Sequence, residues 1–197
     1  MKTRSRQGPR QFQLKITYGS SYYIERVVAL EKIFRRKPRA VHIDMIGAGE
    51  IPADSALLIR SVLMTRSPKT RIITNARSSL QGGSVMVWLL GDSRTIRDDA
   101  RICFRRANLP EDAEVEPNGD WKHNEPKYRD SFTEIDLDEA DYARVLEVIN
   151  EFLPVKELAG RLIGVSVLRQ FGLVQNEQVD HFLATAFAKS EGALVPR

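Results

Sequence analysis

Cysteine is almost missing from this chain: Cys103 stands alone among 197 residues, which excludes an internal disulfide and any cysteine-rich metal site. Its neighbours Ala100, Ile102 and Phe104 are apolar, as suits a buried thiol in a reducing compartment, so a cytoplasmic protein is expected. Histidine is scarce too. His42, His123 and His181 are scattered without ligand spacing, so no metal and no other cofactor is expected. No stretch approaches the ~20 consecutive apolar residues of a membrane-spanning helix, and no membrane partner is expected. The polar, basic first residues lack the apolar run of a secretory signal, so export is not expected either. Internal repeats and low-complexity tracts are absent.

What the chain does have is apolar residues, 42% of the total, enough for one compact domain over residues 1–192. Residues 193–197, ending Leu-Val-Pro-Arg, read as the remnant of a cleavable tag and are set aside. Charge is spread unevenly. Residues 1–39 carry eleven Lys/Arg against Glu25 and Glu31, while residues 111–125 hold six acidic residues against Lys122. Such opposed patches can meet in an oligomer or recruit an outside partner. The basic arm, residues 1–11, lacks the interleaved aromatics and the fold motif of a specific nucleic-acid binder, so nucleic acid is not an expected partner.

Periodicity gives the elements. Phe12, Leu14, Ile16 and Tyr18 alternate with polar residues as in a half-buried strand, and Ser20 or Ser21 then caps a helix with Ile24, Val27, Val28, Leu30, Ile33 and Phe34. A strand over 41–46 runs into Gly47-Ala48-Gly49, where it is expected to stop, and Pro52 opens the next helix. A third strand over 71–74 is followed by a polar loop, 75–83, and an apolar helix, 84–90. Short strands are expected around Thr95-Ile96 and over 101–104. Residues 108–131 are rich in Pro, Asn and acid and read as an insertion or arm. Asp138 is expected to cap an amphipathic helix with Tyr142, Val145, Leu146, Ile149 and Leu153 on one face, stopped by Pro154. A helical stretch ends at Gly172, and a terminal helix follows Leu173-Val174. Repeated βα steps imply an α/β fold with a mainly parallel sheet.

The order of these elements, with Ala48-Gly49 between a strand and a helix, Arg94 opening the segment 94–104, and Phe171-Gly172-Leu173-Val174 near the end, resembles the ClpP/crotonase superfamily. The likeness is to the proteolytic subunit of the Clp protease and its crotonase-fold relatives, across nearly the whole chain. The resemblance implies a spiral of repeated ββα units with a helical C-terminal region. It also implies a homo-oligomer (trimer, hexamer or ring), with residues 108–153 as a handle-like insertion and helix.

Counting from Gly49 at the family's spacing places the nucleophilic serine at Ser78, with Ser79 and Ser84 as alternatives because of a small insertion at 80–83. The same register puts Arg105 at the catalytic histidine and Gly160 at the triad aspartate. Arginine stays protonated and cannot take a proton from a serine, so the triad reads as degenerate. An oxyanion hole of backbone amides survives such changes, and the resemblance assigns it to Gly49 and Ser79.

The expected function is therefore an inactive or unconventional serine-peptidase homologue. The alternatives are an active peptidase or crotonase-like acyl hydrolase using Ser78, or a scaffolding module binding a peptide or acyl ligand. A replacement base would come from His123, in the arm, or as a Ser–Lys dyad from Lys122 or Lys127. Glu50 and Asp54 flank the expected hole, but read first as a loop charge and a first-turn carboxylate. His42 reads as a sheet residue and His181 as a surface residue. The glycines of 47–49 do not complete a dinucleotide motif, since Pro52 stands where its third glycine would be.

Overall fold

The computed structural model describes residues 8–17, 20–106 and 132–174. Strand β1 (Arg10–Lys15) leads into α1 (Ser20–Arg35), then β2 (Ala40–Ile46), the short β3 (Gly49–Ile51) and α2 (Ala53–Met64). The step repeats as β4 (Arg71–Ala76), β5 (Leu80–Gly82) and α3 (Gly83–Leu89). Next come β6 (Ser93–Ile96) and β7 (Arg101–Cys103), followed by α4 (Phe132–Asn150), α5 (Val155–Leu158), β8 (Ile163–Gly164) and α6 (Val165–Gln170).

The longer strands form one parallel sheet in the order β1-β2-β4-β6, and the short ones a second in the order β3-β5-β7-β8, antiparallel only at β7–β8. After β1, each strand of the first sheet hands the chain to a short strand of the second: β2 to β3, β4 to β5 and β6 to β7. In the first sheet Phe12, Leu14, Val41, Ile43, Met45 and Ile72 are buried while Gln11, Gln13 and Lys15 are exposed, the period-two pattern of a sheet packed on one face. Among the described residues no helix is long and apolar enough to cross a membrane.

Three expectations are corrected. The strand over 41–46 does end where glycine begins, with Gly47 at φ +99°, but extended chain resumes at Gly49 as β3. Residues 75–83 are a loop only over 77–79: 75–76 complete β4, 80–82 form β5 with Leu80 and Gly82 buried, and Gly83 opens α3. Asp138 is no cap, since α4 begins at Phe132. The C-terminal stretch is also divided, with β8 separating α5 from α6.

The core is closed by specific polar contacts. Trp88 is fully buried and its Nε1 donates to the Thr95 carbonyl at 3.0 Å, while Thr74 Oγ1 donates to the Trp88 carbonyl at 2.7 Å. The Tyr23 hydroxyl accepts from Thr17 N and donates to Thr17 O, both at 2.8 Å. On β6, Arg94 donates to the carbonyls of Leu89 and Gly91, each at 2.8 Å, and to that of Leu173 at 3.2 Å, with its guanidinium over the Phe152 ring. One side chain so ties the end of α3 to the turn after α6. The face of α4 bearing Tyr142, Val145 and Ile149 is buried and packs on α2 and α3.

Candidate functional site

Where β5 gives way to α3, the chain turns at Gly82, with φ +44° and ψ −116°. Positive φ at a strand-to-helix turn is the backbone shape that exposes a nucleophile in sharp-elbow hydrolases. Here the residue has no side chain. A Cβ built on Gly82 would fall on the Glu50 carboxylate and stand 3.1 Å from Cε2 of Tyr142. The next residue, Gly83, is constrained as well, since a Cβ there would lie against the Ile51 carbonyl and 2.9 Å from Ala56 Cβ. Both glycines follow from close packing of β3 and α2 on the turn.

Around this elbow several elements bring charge together. β3 pairs with β5 so that Glu50 lies opposite Gln81, which sets its carboxylate beside the turn. Arg105, just beyond β7, makes a two-point contact with Glu139 of α4, Nη2–Oε1 2.7 Å and Nη1–Oε2 3.1 Å. Its guanidinium lies 3.9 Å from the centroid of the Tyr142 ring, and its backbone N–H donates to the Tyr142 hydroxyl at 3.0 Å. Burial alone would lower the Arg105 pKa, but the hydrogen-bonded charge of Glu139, with help from Glu50, outweighs it and raises it. Tyr142, 2% exposed, has its hydroxyl pushed well above the usual value, first by burial and then by the Glu50 charge. The Cys103 thiol is raised by the same two causes and stays protonated.

The other sequence candidates divide clearly. Gly160 is close to Arg105: its N–H donates to the carbonyl of Phe104 at 2.8 Å. Ser78 and Ser79 precede β5 and are not at the elbow. Ser79 Oγ accepts from Arg101 N at 3.0 Å, and its carbonyl accepts from Gly49 N–H at 3.3 Å. The Gly49 amide, expected as an oxyanion donor, is therefore engaged in joining β3 to the start of β5. Ser84 is fully buried and its Oγ accepts from Ile51 N at 2.9 Å. Asp54 is exposed in the first turn of α2, where its carboxylate accepts from Ser55 N. His42 sits mid-strand in β2, opposite Gln11 and Ile73 in the first sheet. His123, Lys122, Lys127, His181, residues 1–7 of the basic arm, the expected terminal helix and the tag remnant 193–197 lie outside the described residues, whereas Arg10 and Gln11 of that arm belong to β1.

Sequence reasoning missed Gly82 and Glu139. The signal for the first was present as Gly82-Gly83 directly before an apolar helix, but an ungapped count from Gly49 stops four residues short of it. Glu139 gives no such signal, because its partner Arg105 is 34 residues away.

No family model matches the chain, and no curated protein does. Solved structures do. The ClpP protease catalytic domain from Plasmodium falciparum matches with TM-score 0.53 and 10% identity, over 86% of this chain and 84% of that one. A structure described only as an enzyme matches with TM-score 0.54 and 14% identity, over 85% and 94%. A peptidase from Plasmodium falciparum matches with TM-score 0.52 and 12% identity, over 85% and 93%. What these structures share with the chain is an α/β fold, here with strands passing between two sheets. More narrowly, the chain has a ClpP-like fold, divergent in sequence.

Proposed function

We propose that this chain is a catalytically silent ClpP-like protein, acting in the cytoplasm as a homo-oligomer rather than as a peptidase. The observation that carries the reading is Gly82. It has the backbone of a nucleophile elbow without a hydroxyl, and the Glu50 carboxylate fills the volume a serine side chain would need. Supporting it, Arg105 stands where the resemblance puts the base, and a guanidinium held charged by Glu139 accepts no proton. Gly160 offers no carboxylate to orient one.

The test is labelling of the purified, folded protein with a fluorophosphonate probe. No labelling is expected in wild type, Ser78→Ala, Ser79→Ala or His123→Ala. Labelling of wild type that disappears in a serine variant and weakens in His123→Ala would sink the proposal and establish a hydrolase with an unusual base.

A further inference from the structure

At the end of the first sheet where β2 and β4 begin, two loops far apart in sequence are fastened side by side. Thr70, 3% exposed, donates from Oγ1 to the Pro38 carbonyl at 2.7 Å, and Arg71 N donates to the Arg39 carbonyl at 3.0 Å. These bonds align two basic tripeptides, Lys37-Pro38-Arg39 and Lys69-Thr70-Arg71. Two neighbouring clefts of about 440 and 590 Å³ open here, sharing Arg66 and Pro68. Lys69 and Arg71 line the first, Arg35 and Lys37 the second.

Two of the cations are answered: Arg66 pairs with Asp92 at 2.9 Å, and Arg35 approaches Glu31 at 3.8 Å. Lys37, Arg39, Lys69 and Arg71 are exposed and have no carboxylate partner among the described residues. The fold thus holds like charges together and leaves them unanswered.

Lys37 adds an independent observation. Among the described residues it is the one non-glycine with positive φ, +49°, at the end of α1 where its N–H bonds the Phe34 carbonyl. That left-handed position favours glycine, and a side chain there is strained. Strain retained at a residue that lines a charged cleft points to a use for the charge.

We propose that this basic double cleft is a docking surface for the acidic stretch, residues 111–125, of a second copy of the chain. The proposal rests on the oligomeric reading above and names its contact chemistry. Charge complementarity supports it, since that stretch carries six acidic residues against one lysine. Single-stranded nucleic acid is disfavoured, because Phe34, the one aromatic lining the clefts, is 6% exposed and offers no stacking platform.

The experiment is sedimentation velocity of the full chain over a concentration series at low and high salt, with circular dichroism to confirm that each variant is folded. Wild type is expected to self-associate at low salt and to dissociate at high salt. Lys69→Glu/Arg71→Glu and, separately, Glu114→Lys/Glu116→Lys are expected to weaken association by on the order of tenfold or more. An equimolar mixture of these two charge-reversed proteins is expected to associate again. Lys37→Gly gives the sharpest separation, since it is expected to raise Tm while weakening association.

Association that ignores both salt and charge reversal overturns this contact while leaving the homo-oligomer standing. A chain that stays monomeric at every concentration overturns both. Loss of association in the basic variant alone, together with salt-sensitive binding of a single-stranded oligonucleotide by wild type, overturns it in favour of a nucleic-acid partner.

Discussion

An alanine at position 82 would have to hold φ +44° with its Cβ against the Glu50 carboxylate and the Tyr142 ring. Left-handed strain and overpacking together are expected to cost about 3 kcal/mol, read by urea denaturation. In a Glu50→Ala background the same change should cost measurably less, because only the backbone strain then remains. Equal penalties in the two backgrounds would show that Glu50 does not occupy that space. Tyr142 makes a second prediction at this scale. Its folded pKa is raised, so unfolded chain ionises near the ordinary value of about 10 while folded chain keeps its proton. The contribution is complete below about pH 10 and is lost as pH climbs beyond it. Tyr23, raised chiefly by burial, acts in the same direction. Urea midpoints are therefore expected to fall on moving into this alkaline range, and to fall less steeply in Tyr142→Phe.

At the scale of elements, the long strands and the first three helices were readable because each repeats its apolar period over several residues. Phe12 and Leu14, or Val41, Ile43 and Met45, announce their face without help from the rest of the chain. The second sheet was not readable. β3, β5 and β7 are three residues each and β8 two, too short to show a period, and they include glycines that locally signal a turn. What makes them strands is pairing between Gly49 and Leu80, or Leu80 and Ile102, which no local window contains. Ser84 shows how such short pieces are held. Its hydroxyl accepts the Ile51 N–H and so joins α3 to β3. Ser84→Ala would leave that buried amide unpaired and is expected to cost about 1–3 kcal/mol in urea denaturation. A neutral result would mean that β3 is held by strand pairing alone.

Seen as a whole, the molecule builds its site from the part of the fold that the sequence showed least clearly. Glu50, Gly82, Arg105 and Gly160 all lie in or next to the strands of the second sheet, with α4 bringing Glu139 and Tyr142 to them. Arg105 and Gly160, which the resemblance puts at two triad positions, both attach to Phe104, one by the chain and one by a hydrogen bond. The resemblance did not locate the elbow, because the ungapped count from Gly49 reaches Ser78, four residues before Gly82. The proposed silence of the site and the proposed contact between copies concern opposite ends of the strands. Charge reversal at Lys69 and Arg71 is therefore expected to leave the fluorophosphonate result unchanged.

Arg94 carries a consequence for the order in which the chain can be completed. Its guanidinium finds two acceptors within five residues, at Leu89 and Gly91, but the third, Leu173, is 79 residues downstream. The first sheet needs nothing beyond Ile96 to pair its strands, so on a ribosome it is available long before the group it must enclose has its full set of partners. Until Leu173 arrives, a half-enclosed cation faces a gap that only water can fill. The last turn of the described fold is therefore a latch on a sheet already made, and a nascent chain stopped short of it would be paired but unlocked.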